Sequence, residues 1–147
     1  MKINNRKAKF NYDITDEYIA GIVLLGSEIK SLRQGKCNIS DAYCIIHNQE
    51  AWLKNSHISK YDSDKFTNHD ELRDRKLLLT KKEIRKINEE VQTPGITIAP
   101  LSIFINNNGF AKVKIGIARG KKNYDKRNDI KDRDNARELD KIIKFYK

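Results

Sequence analysis

An alternation of apolar and charged residues runs to Gly120 and then stops, and that break limits what this chain can fold into. Ala111, Val113, Ile115 and Ile117 are apolar, Lys112 and Lys114 stand between them, and Gly120 closes a pattern that reads as a strand. From Arg119 onward there are eleven Lys or Arg against six Asp or Glu, so half of the net charge of +10 lies in this last stretch. We read a folded body over residues 1–120 and a basic tail over 121–147.

The tail has no glycine or proline after Gly120. Placed 100° apart as on a helix, Arg133, Arg137, Lys141 and Lys144 form a basic stripe, with Ala136, Leu139, Ile142, Ile143 and Tyr146 roughly opposite. Its first half offers only Tyr124 and Ile130 for burial, too little to offset about 1 to 2 kcal/mol of backbone ordering per residue. One reading is a segment that is disordered when free and helical on a partner. The other is a terminal helix that packs on the body and turns its charges to water. Composition leaves both open.

With 147 residues, 38% hydrophobic and 34% charged, the chain supports one core. It has no apolar run of about 18 residues, and MKINNRKAKF lacks a signal peptide's apolar centre, so a cytoplasmic protein is expected. Cys37 and Cys44 are too few for a disulfide framework, and no Cys or His pair has zinc-ligand spacing. The positive charge calls for an anionic partner, because neutralised phosphates release their counterions. Aspartates interleaved with the tail's lysines weaken adhesion to an acidic membrane, which leaves nucleic acid as the default partner; RNA is favoured, although charge does not separate it from DNA.

Along the chain, a basic arm over residues 1–9 leads into a strand through Phe10, Tyr12 and Ile14. A turn near Thr15-Asp16-Glu17 then makes a hairpin with a strand from Tyr18 to Leu25. Ser27 caps a short helix with Ile29 and Leu32 inward, ended by Gly35. Ala42 to His47 and Ala51 to Ile58 pair as strands around Asn48-Gln49-Glu50, with Trp52 as a core anchor. Lys60 to Arg75 reads as a polar surface loop. Thr80 and Glu83 form a capping box before Ile84, Ile87 and Val91, and Thr93-Pro94-Gly95 ends that helix. Pro100 shifts the apolar phase between Ile96-Ile98 and Leu101-Ile103-Ile105, which predicts a bulge. Asn106 to Gly109 turns the chain into the last strand. About six antiparallel strands without βαβ alternation predict a small β-barrel or an α+β sheet.

His47, His57 and His69 are scattered, and neither a nucleophile motif nor a phosphate-binding glycine loop is present, so no enzyme, catalytic residue, cofactor or metal is expected. Asp62, Asp64, His69 and Asp70 form a weak metal candidate that reads better as a solvated loop. Asn5, Arg6, Lys7, Glu28, Lys30, Arg33, Lys36, Lys112 and Lys114 are the candidate surface for folded RNA. Their cations would take phosphates, and Asn5 and Glu28 would take 2′-hydroxyls or base edges. Tyr124, between Lys122 and Lys126 with no core to join, suits stacking on a base.

Several stretches carry a resemblance. They are Asn5-Arg6-Lys7-Ala8, Ala20-Gly21, Glu28 to Arg33 with Gly35-Lys36, Arg75 to Leu79, Lys112 to Gly116, Gly120-Lys121-Lys122, Asp125-Lys126-Arg127 and Asp129-Ile130-Lys131. In this order they resemble the bacterial SsrA-binding protein family (small protein B). Two positions depart from that pattern: Ile19, where an acidic residue is common, and Asn135, where some members have an aromatic. The resemblance implies a mainly β fold, an oligonucleotide-binding type antiparallel barrel with two or three flanking helices and a basic C-terminal tail. It implies a role in trans-translation, with transfer-messenger RNA held through its tRNA-like domain and delivered to stalled ribosomes. Elongation factor Tu and alanyl-tRNA synthetase would be reached through the RNA. The tail, through Lys121, Lys122, Tyr124, Asp125, Lys126, Arg127, Arg133, Arg137, Ile142 and Ile143, would enter the empty message channel against small-subunit rRNA. A basic structural ribosomal or ribosome-assembly protein is the alternative reading, and a metal-dependent nuclease is third.

Overall fold

The computed structural model describes residues 2–61 and 68–121. Among these, β1 (Lys2–Asn4) leads to α1 (Arg6–Asn11), β2 (Tyr12–Ile22) and α2 (Gly26–Arg33). Then come β3 (Cys37–Asn38), β4 (Tyr43–His47), β5 (Glu50–Lys54), β6 (His57–Ile58) and β7 (Arg75–Leu78). The last elements are α3 (Lys81–Glu90), β8 (Ile96–Ile105) and β9 (Ala111–Gly120).

Six strands close a ring in the order β8, β4, β5, β7, β2, β9 and back to β8, with every pairing antiparallel. Strand β1 adds to the second half of β8, and β3 pairs with β6 apart from the ring. Closure removes the open edges that a flat sheet would expose. Two of the three long strands carry the irregularities that curve the sheet, a register shift at Ile14/Asp16 in β2 and another at Pro100/Ser102 in β8. The second is where the proline breaks the apolar phase.

Leu53, Leu77, Ile103, Val113, Ile115 and Ile117 are buried in the main core. A smaller cluster forms where α1 lies on the barrel wall, with Ala8 against Ala99, Leu101 and Ala118. Gly116 permits that approach, since a Cβ there would stand 2.8 Å from Ile14 Cγ2 and 3.0 Å from Leu101 Cδ1. Helices α2 and α3 follow β2 and β7, which are antiparallel neighbours, so they lie at opposite ends of the barrel.

Four local expectations are corrected. The basic arm contains α1, because Asn5 caps it. The expected hairpin is one strand, β2, in which a bulge takes up the turn-like residues. Trp52 is half-buried on the outer wall, because its neighbours Ala51 and Leu53 fill the inner positions. Ser27 is not the cap of α2: Leu25 precedes the helix, and the Glu28 carboxylate accepts the Leu25 N–H at 2.8 Å. The Thr80–Glu83 capping box forms as expected.

Candidate nucleic-acid interface

Strand β9 lies between β8 and β2, so every second residue of its outer side sits in a cross-strand row. One row runs Lys2, Phe104, Lys112, Gly21, Leu78 across five strands. The next runs Asn4, Ser102, Lys114, Ile19. Ile19 is 59% exposed and Leu78 54% exposed, whereas Lys112 and Lys114 are half-buried. Lys114 Nζ pairs with Glu17 Oε2 at 2.9 Å. Gly21 keeps the rows open beside Leu78, since a Cβ there would come within 3.2 Å of Leu78 Cβ. The wall thus offers cations for phosphates next to apolar and aromatic side chains for exposed bases or ribose faces.

Arg6 and Lys7 are exposed on α1, and Lys7 Nζ meets Asp41 Oδ1 at 2.8 Å. The hydrogen bond that Lys7 donates to Asp41, together with the charge of that carboxylate, raises the Lys7 pKa, so this ammonium stays charged. Asn5 is a correction, being only 3% exposed. Its Nδ2 donates to the Ile39 and Pro100 carbonyls at 3.1 and 2.8 Å, and its Oδ1 accepts the Ala8 N–H at 3.1 Å. With both amide hydrogens engaged, Asn5 clasps α1 to the barrel and leaves no donor for RNA.

Lys30, Arg33 and Lys36 are exposed at the α2 end, and Lys30 Nζ stands 5.2 Å from the centre of the Tyr61 ring. Glu28, on the same helix, is the second correction because it has no exposed surface. Arg73 Nη2 donates to one carboxylate oxygen and Arg75 Nε to the other, each at 2.5 Å. Burial alone would push the Glu28 carboxyl up. Hydrogen bonds from Arg73 and the Leu25 amide, with the charge of Arg75, outweigh it and hold the group below its ordinary value. Arg75, also fully buried, donates to the Ser56 carbonyl and hydroxyl at 2.7 and 2.9 Å. Nearby, the Ser27 hydroxyl meets His69 Nδ1 and the Ile58 carbonyl meets His69 Nε2, both at 2.8 Å. This polar core fixes α2 and the chain before β7; the stretch that reads as a surface loop therefore includes two buried anchors, His69 and Arg75.

The remaining candidates separate clearly. Lys121 is half-buried, and its N–H donates to the Asn11 carbonyl at 2.8 Å. Lys122, Tyr124, Asp125, Lys126, Arg127, Arg133, Arg137, Ile142 and Ile143 lie outside the described residues, as does Asn135. So do Asp62 and Asp64, while both ring nitrogens of His69 are engaged. Among the described residues no group of three or more His, Cys, Asp or Glu is placed to hold a metal ion. Burial pushes the Cys37 thiol up to about 11 and the Cys44 thiol up as well, which leaves both protonated and weakly nucleophilic.

The family model described as SmpB protein matches residues 2–145. The chain belongs to the SmpB protein family. SmpB relatives include the SsrA-binding protein of Parabacteroides distasonis, 51% identical over 98% of this chain and 94% of the relative. That of Ligilactobacillus salivarius is 54% identical over 97% and 91%, and that of Wolbachia pipientis wMel 54% over 95% and 94%. Among solved structures, "tmRNA-SmpB: a journey to the center of the bacterial ribosome" contains a chain with TM-score 0.71 and 42% identity, covering 83% of this chain and 85% of that one. The oligonucleotide-binding type barrel implied by the resemblance agrees with the closed six-strand ring and this match.

Within the SmpB-type barrel, sequence reasoning missed Lys2, Ile19, Leu78 and Phe104. A signal was present for Ile19. In Tyr18-Ile19-Ala20-Gly21-Ile22-Val23 apolar residues occupy both phases of the strand, and a strand with one solvated face should alternate instead.

Proposed function

We propose that this chain binds the tRNA-like domain of transfer-messenger RNA and delivers it to stalled ribosomes for trans-translation. The relatives are named SsrA-binding proteins, and the similar solved chain is described with tmRNA and the bacterial ribosome. The single observation that carries the reading is the outer wall of β9 and its neighbours, where Lys2, Lys112 and Lys114 stand in register with Phe104, Ile19 and Leu78. Lysines neutralise phosphates, and the apolar side chains that share their rows take unstacked bases or ribose faces of a folded RNA elbow. Arg6 and Lys7 on α1, with Lys30, Arg33 and Lys36 at the α2 end, extend the positive surface. The work takes place on the ribosome, which puts the protein in the cytoplasm.

The tail has a separate task in this reading. It enters the message channel of the small subunit when the channel is empty, with Lys122, Lys126, Arg127, Arg133 and Arg137 against rRNA phosphates and Tyr124 on a base. Ile142 and Ile143 supply the apolar face that packs once the helix forms. Because the ordering entropy is recovered only against rRNA, an occupied channel prevents folding. The experiment is a chain ended at Gly120, tested for binding to the tRNA-like RNA and for peptide tagging in a reconstituted stalled translation reaction. Binding should persist and tagging should fail; tagging by the shortened chain would remove the tail from the mechanism.

A further inference from the structure

A cavity of about 230 Å³ lies beside α1, and the function proposed above does not use it. Helix α1 lines it through Ala8 and Asn11, the start of β4 through Tyr43, and the start of β8 through Thr97 and Ile98, with Tyr12 among them. Tyr43 is 46% exposed and Tyr12 half-buried, so two aromatic side chains border the space without closing it. A third ring entering there gains about 0.5 to 1.5 kcal/mol for each aromatic pair beyond the area it buries. Size narrows the choice further. The volume equals a cube about 6 Å on edge, which receives one side chain and not a helix, whose diameter with side chains is about 10 to 12 Å.

Position names the occupant. The Lys121 N–H donates to the Asn11 carbonyl at 2.8 Å, and Asn11 is one of the residues that line the cavity. Strand β9 reaches that point paired on both sides, with Arg119 in register with Ile96 and Gly120 with Tyr12. Tyr124 follows three residues after Lys121, and no other aromatic residue comes before Phe145. At about 3.3 to 3.6 Å per residue, its Cα stays within about 11 Å of the tether. So short a link gives an effective concentration in the millimolar range, at which a ring contact too weak to join separate molecules is well populated. Charge agrees with this placement: Lys122 and Lys126 flank Tyr124, and the exposed Asp41 carboxylate, which already takes Lys7, stands at the rim.

We propose that in the free protein the Tyr124 ring docks in this cavity and holds residues 122–127 against α1. The ring then has two mutually exclusive sites, the cavity before ribosome binding and a base of ribosomal RNA afterwards; the second of these rests on the function stated above. Docking keeps a stacking ring away from other RNA until a base competes for it.

The test is tryptic cleavage of the full-length chain after Lys122, Lys126 and Arg127, followed by mass spectrometry. Each rate is divided by that of an isolated 119–130 peptide with the same residues. Cleavage follows the open fraction, so a ring docked nine-tenths of the time slows it about tenfold. Tyr124→Ala and Tyr43→Ala should each abolish that protection, both together should do no more than either, and Tyr124→Phe should keep it. Thr97→Trp, which fills the cavity, should release the segment as Tyr43→Ala does. Cleavage after Lys141 and Lys144 should be fast throughout. A full-length chain cut as fast as the peptide overturns the proposal. So does release by Tyr124→Ala but by neither cavity variant, which would seat the ring elsewhere. Protection that grows with protein concentration would make the occupant a second copy, and equal protection after Lys141 and Lys144 would make it the whole tail; either refutes the proposal. Finally, the affinity of Tyr43→Ala for stalled ribosomes should rise by the same factor as its cleavage, because both scale with the open fraction. Protection without that rise supports the docking and refutes the stacking role given to Tyr124 above.

Discussion

Glu28→Gln isolates the polar core at nearly constant volume. Arg75 and Glu28 are both fully buried, and Arg73 reaches the same carboxylate from a partly exposed position. The amide keeps the shape and loses the charge, so Arg75 is left as a buried cation whose remaining acceptors are neutral oxygens of Ser56, Asp70 and Glu71. Removing one partner of a buried pair costs about 3 to 5 kcal/mol. For a body of this size, at about 4 °C per kcal/mol, the melting temperature should drop by roughly 12 to 20 °C. Far-UV circular dichroism on a chain ended at Gly120 measures it directly. The loss should depend on pH in a defined direction. Because the folded-state pKa of Glu28 is lowered, its stabilisation is present above the ordinary value of 4.5 and disappears as pH falls through the lowered one. The gap between the two proteins should therefore be full near neutrality and narrow only in acid. Below its melting temperature the variant should bind the tRNA-like RNA normally, since Glu28 has no surface to offer. A loss under about 1 kcal/mol, the value of an exposed pair, would refute the reasoning. So would an RNA-binding defect in variant protein that is still folded.

Two further outcomes test the wall on which α1 and β9 meet. Lys112→Ala should leave the melting temperature unchanged and make the salt dependence of RNA affinity shallower by about 0.7 to 0.9; an unchanged slope would move the interface elsewhere. Gly116→Ala forces a Cβ to within 2.8 Å of Ile14 Cγ2 and should cost about 1 to 3 kcal/mol by urea unfolding. Adding Ile14→Ala should recover part of that loss, and a Gly116→Ala protein as stable as its parent would deny the close packing.

Chemistry contained within a few residues was legible from the sequence. The Thr80–Glu83 box, the β4–β5 hairpin and the phase shift at Pro100 each follow from neighbours in the chain. What stayed hidden depends on partners far away. Helix α1 has six residues, and its cap Asn5 is held by carbonyls 34 and 95 positions distant. Glu28 looked like a surface acid on a basic helix because Arg73 and Arg75, which bury it, lie 45 and 47 residues on. Trp52 was misplaced for another reason: apolar residues occur in both phases of β5, and size alone does not say which phase faces inward. For the proposed RNA surface, the lysines of β9 were evident from their alternation, whereas the row that joins them to Lys2, Phe104 and Leu78 exists only through the ring's register.

Strand β9 also works as a ruler. Lys112 stands near its start, Gly120 ends it, and the next amide is tied to Asn11. At about 3.3 Å per residue the eight steps between them span roughly 26 Å. Because both flanking strands are paired along nearly the whole of that length, the spacing is stiff. In the proposed function, an RNA held at one end therefore sets the point at which the chain leaves the barrel at the other. The interval also resists gradual change, because adding one residue to β9 would turn either the lysines or the core isoleucines to the wrong side of the wall.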